Sequence, residues 1–160
     1  MKPAQPEAKP TMNPHQTAVN ELVQFYQQLS PASLGQLGRH YAPEARFKDP
    51  FHEVQGVPAI EAIFRHMFAR LQQPRFVVTE CVLQGEQAFL LWDFEFCFAS
   101  RGRSASAPAV QTIRGCSHLR LDSTGRVLLH RDYWDAAEEL YAKLPVLGGL
   151  MRWLQRRAAA

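Results

Sequence analysis

Residues 76–134 contain four strand-like segments in succession, and this run constrains the fold more than any other part of the sequence. The segments are rich in β-branched and aromatic residues, and they cover residues 76–83, 87–98, 110–121 and 126–134. Gly85 and the turn at 122–125 make two of the connections short, and a polar loop at 100–109 makes the third. Strands joined in hairpin order form a meander, so the sequence predicts a strongly curved antiparallel sheet.

The alternation of residue types in these segments predicts which face of the sheet is buried. In the second segment every even position is apolar: Ala88, Leu90, Trp92, Phe94, Phe96 and Phe98. The odd positions include Asp93 and Glu95, which form either a solvated or dimer-facing surface or a catalytic pair. In the third segment His118 shares the outward face with Arg114 and Arg120, so we expect a surface or interface residue there.

The region before the sheet has the periodicity of helices. Val19, Leu22 and Tyr26 recur at helical spacing, and Ile60, Phe64 and Met67 do the same later. The predicted elements are helices over 17–29, 30–41 and 58–72, with a short extended stretch over 45–54. Helices segregated from strands define an α+β fold. We expect the first and third helices to close the concave face of the sheet, leaving a pocket where they do not fill it.

Composition divides the 160 residues into one domain and two ends. Residues 1–16 contain four prolines and few large apolar side chains, which predicts a disordered tail. The domain is assigned to residues 17–142, with a further helix expected near 135–143. Residues 143–160 then form an amphipathic basic helix, which packs on its own domain or a dimer mate, or alternatively lies on an anionic membrane surface.

The net charge of +3 resides in that C-terminal segment. Residues 143–157 contain four basic residues and no acid, so the rest of the chain is close to neutral. The balance argues against nucleic acid as a partner. We expect no transmembrane helix and no secretory signal peptide, because no sufficiently long apolar run occurs. Three cysteines without CxxC spacing indicate reduced thiols and a cytoplasmic protein.

Three residues are the main candidates for chemistry. Tyr26 lies on the apolar stripe of its helix, where it is either a core tyrosine or a hydrogen-bond donor at the pocket floor. Asp49 lies between two phenylalanines, where apolar surroundings favour a general base, or else it caps a local turn. Asp132 is either a salt-bridge partner or an acid/base residue at the pocket mouth. His52 in its loop is a surface histidine in the simplest interpretation, and no metal or nucleotide motif occurs.

The segment YAPEARFKDPFHEVQGVPAIEAIFRHMF at 41–68 and the ending HRDYWD at 130–135 resemble the SnoaL-like, nuclear transport factor two-like superfamily. The resemblance covers about residues 17–142. It implies a cone-shaped α+β barrel, a cystatin-like curved sheet wrapped on N-terminal helices, which is often a homodimer.

Two enzyme groups of that superfamily bear on the candidates. Ketosteroid isomerases carry a general-base aspartate in an Asp-Pro pair, which Asp49 matches, and an oxyanion-hole tyrosine, which Tyr26 matches. Ser117 stands where they have a protonated aspartate, and its hydroxyl can still donate a hydrogen bond. SnoaL-like polyketide cyclases use an acid/base aspartate in a His-x-Asp setting, which His130 and Asp132 match.

Together these features predict a protein that handles a small hydrophobic carbonyl compound without a metal or organic cofactor. As an enzyme it would be an isomerase or cyclase, with Asp49 as the base, Tyr26 stabilising the enolate and Asp132 as a second acid/base. The predicted substrate-binding residues are His52, Phe64, Trp92, Ser117 and Trp134. The alternative is a non-catalytic module that binds a ligand or a partner protein.

Overall fold

The computed structural model describes residues 13–98 and 109–136. Within them the chain forms helices packed on one sheet. The elements are α1 Gln16–Gln27, a 3-10 helix Leu34–Gln36, α2 Leu37–His40, β1 Tyr41–Lys48, β2 Glu53–Gln55, α3 Val57–Arg70, β3 Leu71–Gln84, β4 Gln87–Phe98, β5 Val110–Leu121 and β6 Val127–Tyr133. This is the predicted α+β class.

The sheet has six strands in the order β2-β1-β6-β5-β4-β3. The meander from β3 to β6 is antiparallel, as predicted. In addition, β1 pairs with β6 in parallel, so the six-stranded sheet as a whole is mixed. A parallel pair needs a long crossover between its strands, and here α3 and the three strands that follow it supply that length.

The predicted alternation along β4 is confirmed. Ala88, Leu90, Trp92, Phe94 and Phe96 are all buried and face the concave side. On the opposite side Phe89 and Leu91 are exposed, whereas Cys97 is buried despite its odd position. The concave face therefore carries a continuous row of large apolar side chains.

The first and third helices cover this face, and their apolar stripes explain why. Val19, Leu22 and Tyr26 of α1 are buried, as are Ile60 and Phe64 of α3. Contacts join α1 to β3 and α3 to both β1 and β3. The cone is therefore closed by helices on one side, and its core lies between α1, α3 and the sheet.

Two element boundaries differ from the sequence prediction. The second helix is reduced to a 3-10 turn and one turn of α-helix, consistent with the low helix propensity of Gly35 and Gly38. The third helix ends at Arg70, two residues early, because Leu71 already pairs with the far end of β4. Pro74 has no N–H to donate, and the register of β3 shifts around it.

Several sequence predictions lie outside the described residues. These are most of the proposed tail, the polar loop, nearly all of the helix near 135–143, and the amphipathic segment 143–160. At the start of the described part, Asn13 donates a hydrogen bond to the Gly85 carbonyl, and His15 is buried. Within residues 13–98 and 109–136, no helix has the length and apolar character needed to cross a membrane.

Candidate functional site

A cavity of about 540 Å³ lies between α3 and the concave face of the sheet. This volume is within the range typical of small-molecule sites. Its walls are mainly aromatic and aliphatic, and include Phe47, Phe64, Phe76, Trp92, Phe94 and Trp134. The lining has few polar side chains, namely Asp49, His52, His66, Arg70 and Asp132. An apolar enclosure with isolated polar groups suits a hydrophobic ligand that is oriented by one or two specific contacts.

Asp132 has one anchored oxygen and one oxygen without a partner among the described residues. Its Oδ1 accepts hydrogen bonds from Ser117 Oγ at 2.5 Å and from His130 Nε2 at 2.7 Å. Its Oδ2 makes no hydrogen bond to any residue that the structure describes. The side chain is 15% exposed and borders both the cavity and an open outer cleft of about 560 Å³. The anchored oxygen fixes the carboxylate, and the other is available to a ligand or to water.

His130 links Asp132 to a buried pair of tyrosines. Its Nδ1 lies 2.5 Å from the Tyr41 hydroxyl and 3.0 Å from that of Tyr26, and the two hydroxyls are hydrogen-bonded to each other. The Asp132 carboxylate can only accept a hydrogen bond from Nε2, so Nε2 carries the proton in neutral His130. Nδ1 then accepts a hydrogen bond from a tyrosine hydroxyl. The result is a hydrogen-bonded chain from the core to the cavity through Tyr26, Tyr41, His130 and Asp132, which we call the buried chain.

The local sequence explains how β6 and β5 build this arrangement. His130 and Asp132 are two residues apart on β6, so their side chains share the concave face. Ser117 is the direct partner of Asp132 on β5. The Ser117 hydroxyl in turn accepts from Trp92 Nε1 at 2.9 Å, which ties the indole in the cavity wall to the carboxylate. Asp132 and its hydrogen-bond partner His130 thus lie on the same face of the sheet.

Burial raises the pKa of both tyrosines in the buried chain. For Tyr26, loss of hydration is the largest cause, followed by interactions with Tyr41 and a smaller effect of the Asp132 charge. For Tyr41, loss of hydration again dominates, and it outweighs the opposing effect of the bond from Tyr26. Both phenols therefore stay protonated at neutral pH, so that one can donate to the other, which in turn donates to Nδ1 of His130.

This raised pKa predicts a loss of stability at alkaline pH. The unfolded tyrosines ionise near pH 10, whereas the folded ones retain their protons. Above that pH the unfolded state binds fewer protons, so the free energy of unfolding falls by about 1.4 kcal/mol per pH unit for each tyrosine. Denaturant titrations from pH 8 to 11 measure this slope. Tyr41→Phe should flatten it, while Tyr133→Phe, at an exposed position, should leave it unchanged.

Asp49 has the geometry of a turn residue while bordering the cavity. Its Oδ1 accepts from the backbone N–H groups of Phe51 at 2.7 Å and His52 at 2.5 Å. The His52 ring lies 3.0 Å from Oδ2. The two flanking phenylalanines do not enclose it, since Phe51 is half exposed. Of the two interpretations left open by the sequence, these contacts correspond to the capping of a local turn.

The structure brings most of the predicted site residues together around the cavity. Phe64, Trp92, Trp134, His52, Asp49 and Asp132 line it. Ser117 lies behind the cavity wall, where it is hydrogen-bonded to Trp92 and Asp132. Tyr26 is 6% exposed and lines a small inner void of about 20 Å³, together with Ser117, His130 and Asp132. The cavity of about 540 Å³ is lined by Asp49 and not by Tyr26.

Sequence reasoning missed Tyr41, His66 and Arg70 as parts of this site. Tyr41 was placed at the end of a predicted helix, but it begins β1 and is fully buried. The signal for His66 and Arg70 was present, because they lie three and seven residues after Ile63 and so share its face of α3. In the part of the chain that the structure describes, no three metal-ligating side chains lie together.

Comparison with known proteins assigns the family. A sequence profile described as a SnoaL-like domain matches residues 22–130, more than half of the chain. The chain belongs to the SnoaL-like domain family. That match begins within α1 and ends at His130, two residues before Asp132. No curated protein matches the sequence.

Solved structures with the same fold support this assignment. An NTF2-like protein of unknown function from Burkholderia pseudomallei superposes with a TM-score of 0.65 at 18% identity, covering 79% of this chain and 95% of that one. A putative SnoaL-like polyketide cyclase from Shewanella putrefaciens gives 0.62 at 15%, covering 81% and 98%.

A protein from Catenulispora acidiphila with a ketosteroid isomerase-like fold, in complex with trimethylamine, gives a TM-score of 0.62 at 15% identity, covering 81% of this chain and 92% of that one. At such identities the three likenesses concern the fold. They agree with the nuclear transport factor two-like cone predicted from the sequence.

Proposed function

We propose that this SnoaL-like domain binds a small hydrophobic carbonyl compound and moves a proton on the carbon next to the carbonyl, as an isomerase or cyclase. The observation that carries the proposal is Asp132, whose Oδ2 has no partner among the described residues and which borders an apolar cavity. Such chemistry requires a positioned base and an enclosed site, and no redox cofactor or metal is part of the proposal.

Asp132 suits the role of proton-transfer group better than Asp49 does. The two bonds to its Oδ1 hold the carboxylate in one orientation without occupying Oδ2. Asp49 instead uses its oxygens for two backbone N–H groups and for His52. We therefore assign the base to Asp132, and we assign to Asp49 the positioning of the loop that carries Phe51 and His52 at the cavity.

The buried chain gives Tyr26 a different role from that of an oxyanion donor. Its hydroxyl bonds to Tyr41 and His130, and these bonds orient the imidazole toward Asp132. In this proposal Tyr26 and Tyr41 are positioning residues. Phe64, Trp92 and Trp134 form the walls against which the ligand packs, and Ser117 holds the carboxylate.

Solvent-deuterium exchange tests the proposal with the wild-type protein. A hydrophobic ketone such as 2-decanone is incubated in D₂O, and loss of its α-proton signals is followed by NMR. We expect exchange faster than in buffer, and also conversion of a β,γ-unsaturated ketone to its conjugated isomer if the base returns the proton to the γ-carbon. Binding without any exchange, as detected by native mass spectrometry, would favour the rival interpretation of a non-catalytic ligand-binding module.

We further infer that the protein is a homodimer formed through the convex face of the sheet. Val82, Phe89 and Leu91 lie side by side on β3 and β4, and their exposed fractions are 55%, 41% and 38%. The His118 ring stacks on Phe89 from β5. An apolar patch of this kind favours association.

The double variant Phe89→Glu, Leu91→Glu should be monomeric in sedimentation experiments, because it places like charges in the middle of the apolar patch. Ala62→Glu, on the exposed side of α3, is the control and should leave the assembly unchanged. A wild-type monomer at high concentration would contradict the dimer.

The remaining assignments follow from the sequence. We place the ligand-binding domain at residues 17–142 and keep the amphipathic segment 143–160 as a packing element on the domain or its mate. Cytoplasmic localisation is supported by the thiols of Cys81 and Cys116, which form no disulfide.

A further inference from the structure

We propose that the substrate carries an anionic group, such as a carboxylate, which Arg70 binds at the outer end of the cavity while the carbonyl lies at Asp132. This inference rests on the proposed function and specifies its substrate class as a hydrophobic keto acid. The observations come from the face of α3 that lines the cavity and from the ion pairs of the neighbouring arginines.

One face of α3 leads from the apolar interior to a cation. Ile63, Phe64, Met67 and Arg70 follow each other at helical spacing, and all four line the cavity. Phe64 is buried, Ile63 and Met67 are partly buried, and Arg70 is exposed. The helix therefore presents apolar contacts along most of its length and a guanidinium at the outer end.

Arg70 differs from the arginines on either side of it because it has no acidic partner among the residues that the structure describes. Arg65 pairs with Glu61, one turn earlier on the same helix, and Arg75 pairs with Glu95 across β3 and β4. Arg70 makes no ion pair within residues 13–98 and 109–136, and it is the one arginine of these residues that lines the cavity. Asp49, an acid of the same lining, is already hydrogen-bonded to His52.

The charge and the base are separated along the cavity. From Phe64, which packs near Tyr26 and Phe47, to Arg70 the helix rises roughly 9 Å. From Trp92, beside Ser117, to Phe96 the strand β4 extends roughly 13 Å. A ligand that meets both groups must therefore place an apolar chain or ring between its reacting carbon and its anion.

A carboxylate is the group that best matches this end of the cavity. A guanidinium donates two parallel hydrogen bonds to a carboxylate, and a partly enclosed pair is stronger than one in open water. His66, on the same helix and also in the lining, adds a second donor. The simple structural role of Arg70 is to interact with the dipole at the C-terminus of α3, and that role predicts no ligand preference.

The test compares two ligands that differ only in their head group. N-phenyl-1-naphthylamine, a neutral probe that fluoresces in apolar sites, is bound to the full-length protein and displaced with decanoate or with 1-decanol. We expect decanoate to bind about tenfold more tightly than the alcohol. Arg70→Met should remove this preference by weakening decanoate alone, and Arg70→Lys should retain part of it. Arg65→Met, with its cation outside the cavity, should keep the full preference.

The outcomes separate this inference from the proposed function. Equal affinity for the two ligands, or a preference that survives in a folded Arg70→Met protein, would overturn the anion site even if ketone exchange occurs. A preference that depends on Arg70 in a protein without ketone exchange would keep the anion site and remove the catalytic proposal.

Discussion

Replacing Asp132 with asparagine is expected to lower the rate of α-proton exchange by about 10²–10⁴-fold, the usual contribution of a positioned general base. An asparagine amide cannot take up the proton, but its oxygen can still accept the bonds from Ser117 and His130. The variant should therefore fold and bind 1-decanol as the wild type does. NMR exchange rates and probe displacement measure the two properties separately.

Asp49→Asn is the matched control for that loss. Asparagine also accepts backbone N–H bonds in turns, so the loop at Phe51 and His52 should keep its shape. We expect exchange within a few-fold of the wild-type rate. If instead Asp49→Asn abolishes exchange while Asp132→Asn retains it, the base is the residue in the Asp-Pro pair, as in the ketosteroid isomerases, and our assignment is wrong.

Gly115→Ala is expected to destabilise the protein by about 1–3 kcal/mol, because the new methyl group would overlap the Trp92 ring. Trp92 is buried, with its ring edge-on to Phe76 and its Nε1 bonded to Ser117, so it has little room to move. For a chain of this size, each kcal/mol corresponds to roughly 2–4 °C in Tm. Thermal unfolding measures the loss.

The effect of Gly115→Ala should extend to the site. Displacement of Trp92 weakens its bond to Ser117, and Ser117 holds the Asp132 carboxylate. The rate of α-proton exchange should therefore fall by more than the unfolded fraction of Gly115→Ala accounts for. Gly38→Ala is the control, since a methyl group there meets no atom within 4 Å and the position is helical. An unchanged Tm in Gly115→Ala would show that the ring moves aside at little cost.

The sequence predicted those parts of the molecule that depend on local periodicity. The apolar even positions of β4 and the stripes of α1 and α3 are short-range patterns that identified the core. Those of β4 and α3 also identified walls of the cavity. The spacing of His130 and Asp132 by two residues likewise places both on one face of a strand. These features follow from residues that are near each other in the chain.

The buried chain could not be predicted in this way, because it depends on long-range pairing. Tyr41 meets His130 only because β1 lies parallel to β6, a pairing across the whole meander that no local pattern indicates. The environment of Asp49 could not be predicted from its neighbours in sequence either. Its apolar neighbours in sequence suggested an apolar environment, but the turn directs the carboxylate to backbone N–H groups.

The position of a bound oxygen tests the central claim most directly. A phenol such as 2-naphthol resembles the enol that proton transfer produces, and it can be soaked into crystals of the wild-type protein. We expect the naphthol ring between Phe64 and Trp92, with its hydroxyl about 2.7 Å from Asp132 Oδ2. A hydroxyl bonded to Asp49, or a ring bound outside this cavity, would contradict it.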